Sequence, residues 1–144
     1  MKNITRNDIF PGNKLGRDFV VGDIHGCYDL FNEKLLEINF NTLNDRMFSV
    51  GDLIDRGTQN IESLALIQEP WFHAVLGNHE EMMVETILHQ NSQQQRIWLN
   101  NGGAWSLEAD ELELNYLVSL AAKLPLSITV ETKNGNVGIC HAQP

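Results

Sequence analysis

The sequence has few cysteines, no long apolar run and no apolar segment at its N-terminus. Its two cysteines, Cys27 and Cys140, lie far apart and in no CxxC pattern. We therefore expect two reduced thiols in a cytoplasmic protein rather than a disulfide. No apolar run approaches the ~18–20 residues that a membrane-spanning helix needs, and the residues that follow Met1 do not resemble a secretory signal.

Basic residues are also scarce, since 10 Lys and Arg stand against 19 Asp and Glu, a net charge of −9. This balance argues against passive binding to nucleic acid or to an anionic membrane, so we expect neither partner. An anionic substrate stays open, because bound cations can invert the local field. The length of 144 residues, with no repeat and no linker, predicts a single domain over residues 1–144.

An order of strand, polar loop and helix recurs three times along the chain. The apolar runs cover residues 19–21, 47–50 and 72–76. Apolar residues at helical spacing follow each run, over about 30–38, 61–67 and 80–90. This alternation predicts an α/β fold with neighbouring parallel strands. Residues 1–16 lack periodicity, and we expect an irregular lead-in there.

The last third of the chain predicts a different organisation. A short helix over 94–101 precedes an Asn-Gly-Gly loop, and an amphipathic helix follows over 112–124. Asn134-Gly135 is a strong hairpin signal. We therefore expect the chain to change from parallel to antiparallel pairing, with the final strand delivering His141.

Polar residues follow each of the three predicted parallel strands. The loops read GDIHG, GDLIDRG and GNHE. Such loops collect at one edge of an α/β sheet, where ligands bind. Together with the terminal strand they supply Asp23, His25, Asp52, Asp55, Arg56, Asn78, His79 and His141. Carboxylates, imidazoles and an amide oxygen form a mixed ligand set that suits Mn, Fe or Zn better than Ca.

Asp52 is central among the three loops and is the candidate bridge between two ions. Two ions ~3.5–4 Å apart need a shared ligand, and a carboxylate can bridge them because it has two oxygens. Two dications would also acidify a water between them, as one zinc ion already lowers the pKa of water from 15.7 to ~7. The resulting hydroxide is a nucleophile, so a Ser or Cys nucleophile is not needed, and the sequence has no GxSxG motif.

The three blocks together resemble the signature of the metallophosphoesterase, or calcineurin-like, superfamily. Within it, the chain resembles the phosphoprotein phosphatases of the phage-lambda and bacterial type, from about residue 19 to residue 142. The resemblance implies an αββα sandwich, with the C-terminal part of the second sheet missing from this chain. It implies hydrolysis of phosphoserine or phosphothreonine, and further of phosphotyrosine, in a protein or peptide by a metal-bridging hydroxide.

The resemblance also assigns roles to individual residues. It implies two divalent metal ions, with Mn²⁺ expected first and Fe or Zn as alternatives. The implied ligands are Asp23, His25, Asp52, Asn78 and His141. His79 would protonate the leaving oxygen, held by Asp55, and Arg56 would bind phosphate oxygens. These residue types suit the roles: an imidazole titrates near neutral pH, a carboxylate fixes its tautomer, and a guanidinium matches phosphate.

Several of these residues also have ordinary structural roles as alternatives. Asp55 could cap a helix, Arg56 could form a surface ion pair, and His141 could be a core histidine. Trp98 and Trp105 flank the Asn-Gly-Gly loop, and we expect them to pack there, with the lining of a substrate cleft as the alternative.

The family pattern includes a later Gly-His ligand motif and a second substrate arginine, neither of which this sequence contains. We therefore expect an incomplete domain with weakened activity. One alternative is a dinucleoside polyphosphate hydrolase of the same superfamily. There, the position of Asp55 is commonly Ala and Asp commonly stands in place of Glu80, so both residues favour the phosphatase. The other alternative is a non-catalytic, metal-binding remnant.

Overall fold

Two three-stranded sheets organise residues 6–142, the part of the chain that the computed structural model describes. The strands are β1 (Asn7–Phe10), β2 (Asp18–Val21), β3 (Arg46–Ser49), β4 (Phe72–Ala74), β5 (Ser127–Thr132) and β6 (Gly135–Cys140). The first sheet has the order β2-β3-β4, and all its strands are parallel. The second has the order β1-β5-β6, in which β1 is parallel and β6 antiparallel to β5.

In the described part of the chain, five α-helices connect these strands. They are α1 (Tyr28–Glu37), α2 (Asn60–Ala65), α3 (Asn78–Ile87), α4 (Ser92–Asn100) and α5 (Glu111–Ala121). Side-chain caps begin two of them: Asn91 accepts from two backbone N–H groups of α4, and Asp110 accepts from Glu113 N at 2.8 Å. Within residues 6–142, no helix is both long enough and apolar enough to cross a membrane.

Neighbouring residues of β3 enter two different cores. Met47 belongs to a large cluster between the first sheet and the helices. Phe48 faces the other way and packs with Ile128 and Ile139 between the two sheets. This side-chain alternation, with both faces covered, explains why β3 reads as an unbroken apolar run. The helix–sheet–sheet stack confirms the expected α/β fold class.

The sequence predictions hold for the three parallel strands and for the terminal hairpin, with shifts at element ends. The expected helix over 80–90 begins earlier, at Asn78. The expectation of an irregular segment over 1–16 is wrong, because residues 7–10 form β1, whereas residues 1–5 lie outside the described range. The four-residue strand is too short to show periodicity, and its partner β5 is remote in sequence. Cys27 and Cys140 are both free thiols, as expected.

Candidate metal centre

The loops that follow β2, β3 and β4 meet at the carboxyl edge of the first sheet. The backbone N–H groups of Ile24 and His25 donate to Asp52 O at 3.0 and 2.9 Å. The backbone N–H of His79 donates to the Asp52 side chain at 3.2 Å. Asp52 therefore joins all three loops, which gives it the central place that the sequence predicted.

The backbone at this edge is strained. Positive φ angles occur at six non-glycine residues of the described range, and four of these belong to the loops: His25, Asp52, Asp55 and Arg56, with φ of 45°, 54°, 72° and 73°. Each such residue costs of the order of 1–3 kcal/mol unless its surroundings hold it. The hydrogen bonds between the loops supply that support, and they fix the side chains in place.

Two clusters of candidate metal ligands share the Asp52 carboxylate. One comprises Asp23, Asp52 and His141, and the other His25, Asp52 and His79, with the ligand atoms of each cluster within 4.8 Å of one another. His141 Nε2 lies 3.4 Å and His25 Nε2 lies 3.7 Å from Asp52 Oδ2. A carboxylate common to two clusters has the geometry that a bridging ligand needs.

Both candidate histidine ligands have their second ring nitrogen anchored to a carbonyl oxygen. His25 Nδ1 lies 2.9 Å from Ile54 O, and His141 Nδ1 lies 2.7 Å from Val50 O. Since a carbonyl oxygen only accepts, Nδ1 carries the proton, and Nε2 presents its lone pair to the cluster. An imidazole anchored through its Nδ1–H in this way is oriented to offer Nε2 to a metal ion.

Asn78 adds an amide oxygen to these lone pairs. Its Oδ1 lies 2.7 Å from His141 Nε2 and faces only acceptor atoms, including both oxygens of Asp52. With the amide turned over, Nδ2 would instead donate to Asp52 at 3.3 Å and to His141 at 2.7 Å. The first orientation leaves carboxylate, imidazole and amide lone pairs converging with no donor between them. This donor set fits a divalent cation of the Mn, Fe or Zn type.

His79, a member of the second cluster, also forms a buried pair with Asp55. His79 Nδ1 donates to Asp55 Oδ2 at 2.7 Å, and the His79 Nε2 atom lies 4.0 Å from Asp52 Oδ2. Both residues are buried, at 3% and 0% exposure. Asp55 does not cap a helix, because Gln59 occupies the N-cap position of α2. The imidazole therefore has one nitrogen fixed by a carboxylate and the other directed at the cluster.

Residues 19–143 match the model of the calcineurin-like phosphoesterase family. The chain belongs to this family. Members of this family use a dinuclear divalent metal centre, and the two clusters around Asp52 offer candidate ligands for such a centre.

Curated relatives of the chain include serine/threonine-protein phosphatases and bis(5'-nucleosyl)-tetraphosphatases. The chain is 41% identical over 127 residues to serine/threonine-protein phosphatase 2 of Salmonella typhimurium, and 40% identical to phosphatase 1 of the same organism. Each alignment covers 86% of this chain and 57% of the relative. It is 38% identical over 72 residues to a symmetrical bis(5'-nucleosyl)-tetraphosphatase of Actinobacillus pleuropneumoniae, covering 49% of this chain and 27% of the relative.

Solved structures share the fold of this phosphoesterase. The crystal structure of a candidate diadenosine tetraphosphatase has a TM-score of 0.68 at 24% identity, covering 94% of this chain and 55% of that chain. A Saccharomyces cerevisiae serine/threonine phosphatase has a TM-score of 0.53 at 16% identity, covering 83% of this chain and 39% of that chain. The chain thus spans little more than half the length of the curated phosphatases that it matches.

Two residues of the candidate site are exposed, in contrast to the buried Asp52, Asp55 and His79. Arg56 is exposed on a left-handed backbone, and within residues 6–142 it forms no ion pair, so the surface ion pair weighed above is absent there. The Asp23 side chain is about half exposed, at 46%. Both side chains are therefore accessible to solvent.

Glu80 is the residue of this site that the sequence reasoning missed. Its buried carboxylate accepts from the backbone N–H groups of Asp52, Leu53 and Gly77 at 2.8, 2.7 and 3.1 Å. Burial raises the pKa of Glu80, while these N–H donors act in the opposite direction. The signal available in the sequence was an acidic residue at the third helical position after Gly77, which is the capping-box position. Glu80 ties the second loop to the third.

Proposed function

We propose that this phosphoesterase is a phosphoprotein phosphatase that hydrolyses phosphoserine and phosphothreonine, and also phosphotyrosine, as one metallophosphoesterase domain. The observation that carries the proposal is the buried His79–Asp55 pair directed at the Asp52 clusters. The identity of 41% with a Salmonella phosphatase over 86% of the chain supports it. We place the activity in the cytoplasm, a location that two free thiols support.

The proposed ligands divide between two divalent ions, with Mn²⁺ as the first choice. Asp23, His25 and Asp52 would hold one ion, and Asp52, Asn78 and His141 would hold the other. The clusters in the structure pair Asp23 with His141 and His25 with His79, so this division is part of the proposal. When bound, the two ions supply a lowered pKa for water and positive charge for the phosphoryl oxygens.

The protein's own residues then control one proton and the position of the phosphate. With Nδ1–H bound to Asp55, a doubly protonated His79 has a second proton on Nε2 on the side of the cluster. As the bond between phosphorus and the leaving oxygen breaks, that proton moves from Nε2 to the oxygen, and the imidazole becomes neutral. Arg56 would bind the phosphoryl oxygens with its planar fork of donors.

A comparison of two substrates in the presence of Mn²⁺ tests this function. We expect phosphate release from a phosphoserine peptide to exceed hydrolysis of diadenosine tetraphosphate. We also expect His79→Asn to lower kcat on the peptide about 10²–10⁴-fold, the usual contribution of a general acid. His89→Asn is the matched control, since His89 is exposed and contacts Glu85. Hydrolysis of the dinucleotide alone would overturn the proposal.

A second candidate function is hydrolysis of a dinucleoside polyphosphate. The similarity to symmetrical bis(5'-nucleosyl)-tetraphosphatases favours it, although that similarity covers only 49% of the chain. The Asp55–His79 pair favours the phosphatase, because an alkoxide leaving group needs a proton more than a nucleotide phosphate does. A non-catalytic, metal-binding role is the outcome if Mn²⁺ binds and neither substrate is hydrolysed.

A further inference from the structure

The carboxylate that holds His79 is itself held by two tryptophans. Trp98 Nε1 donates to Asp55 Oδ2 at 2.8 Å, and Trp105 Nε1 donates to Asp55 Oδ1 at 2.7 Å. With His79, three N–H donors surround a carboxylate that has no solvent exposure. We propose that Trp98 and Trp105 are positioning residues, which orient Asp55 and thereby His79. This inference rests on the proposed function for its catalytic part.

The Asn-Gly-Gly loop brings both indoles to one carboxylate. Trp98 lies in α4, and Trp105 lies in the 3₁₀ helix Gly103–Leu107 that follows the loop. A Cβ on Gly103 would lie 2.5 Å from the Trp98 ring, and a Cβ on Gly102 would lie 3.1 Å from Asp55 Cβ. Gly102 also has a φ of +112°. A larger residue at position 103 would collide with the Trp98 ring, and one at position 102 would press on Asp55, so the two glycines allow this close approach.

The two indoles bind different oxygens, and this has a mechanical consequence. Asp55 Oδ2 receives both His79 and Trp98, whereas Oδ1 receives Trp105 alone. With both oxygens held, the carboxylate plane cannot turn about its Cβ–Cγ bond. Loss of Trp105 frees that rotation and leaves Oδ1 unpaired in a buried site, whereas loss of Trp98 leaves His79 as the one remaining donor to Oδ2. The direction of the His79 Nε2 atom would then vary, although His79 itself is unchanged.

Packing, which the sequence analysis expected, is therefore only part of the role of these tryptophans. Trp98 is buried at 1% exposure in the main core, which agrees with packing. Packing alone requires an apolar ring and no N–H group. The indole N–H is the group that packing does not require, and both residues direct it at the same carboxylate.

A test that needs no activity uses the three indole N–H signals of this chain. The sequence has three tryptophans, Trp71, Trp98 and Trp105. In ¹H–¹⁵N spectra of the full chain, we expect Asp55→Asn to shift two indole signals and to leave that of Trp71 in place, since Trp71 packs against Phe40 and Phe72. We also expect Trp105→Phe to shift the His79 Nδ1–H signal. Indole signals that do not respond to Asp55→Asn would overturn the inference, whatever the substrate proves to be.

The catalytic part of the proposal is tested with two substrates that differ in whether the leaving group needs a proton. Trp98→Phe and Trp105→Phe should each lower kcat on a phosphoserine peptide by about 10-fold with little change in KM, a fraction of a general acid's full 10²–10⁴-fold contribution. They should change kcat on p-nitrophenyl phosphate much less, because p-nitrophenolate leaves without a proton. Trp71→Phe is the control and should affect both substrates equally. Equal losses on both substrates in the tryptophan variants would refute a role in positioning the acid. Trp105, which is only partly buried, keeps the test valid if Trp98→Phe fails to fold.

Discussion

Replacing Glu80 tests how the loops of the site are held together. Its carboxylate accepts three backbone N–H groups from two loops. Glutamine keeps one oxygen, which can retain the two donors that share Oε2, those of Asp52 and Gly77. Its NH₂ group then faces Leu53 N, which loses its acceptor. A buried donor left unpaired costs about 1–3 kcal/mol, so Glu80→Gln should lower the free energy of unfolding by that amount.

Glu80→Ala removes all three acceptor contacts and leaves a cavity. We expect a loss of at least about 3 kcal/mol, because three backbone N–H donors lose their acceptor and each unpaired buried donor costs about 1–3 kcal/mol. The assay is urea unfolding followed by tryptophan fluorescence. Glu81→Gln is the matched control, since Glu81 is exposed in the same turn of α3 and should change stability by less than about 0.5 kcal/mol. A Glu80→Ala variant as stable as the Glu81→Gln control would refute the argument.

Three further predictions concern acid stability, the Asn-Gly-Gly loop and the metal site. The Arg17 guanidinium bound to Asp45 lowers the pKa of that carboxyl to about 2 from an ordinary value of 3.8. The pair thus stabilises the fold above pH 3.8. In unfolding titrations, the free energy of unfolding of the unmodified protein should exceed that of Asp45→Asn above this pH, and the difference should disappear between pH 3.8 and 2. A difference that persists at pH 2 would contradict this. Gly103→Ala should destabilise by about 1–3 kcal/mol through overpacking, whereas Gly138→Ala, with open space at its Cβ, should not; equal unfolding midpoints would be evidence against the tight contact. His141→Ala should weaken Mn²⁺ binding in titration calorimetry by about 10–100-fold or more, and unchanged affinity would remove His141 from the ligand set.

The fold was most predictable where the sequence signal is local. The strand at residues 47–50 and the strand at 72–76 read as apolar runs because both faces of each strand are covered. The terminal hairpin was predictable from Asn134-Gly135. β1 was not, because it is a four-residue edge strand whose pairing partner β5 lies at the other end of the chain.

In the candidate site, too, the local features were predictable from the sequence and the long-range contacts were not. Residues next to a strand end, such as Asp52 and His79, were predictable as neighbours from their motifs. The contacts from Asp55 to Trp98 and Trp105 span 43 and 50 residues, and no local pattern encodes them. Glu80 was visible as a helix-start residue, but its bonds to Asp52 and Leu53 depend on how two loops approach each other in space.

The left-handed backbone of the loops after β2 and β3 reduces stability at residues whose side chains belong to the candidate site. Glycine at those four positions would relieve the backbone strain, but it would also delete a side chain that the site uses. Asn39 and Gln90 have the same backbone conformation outside the loops, with φ of 50° and 53°. Engineering at these two remote positions could gain stability without that sacrifice.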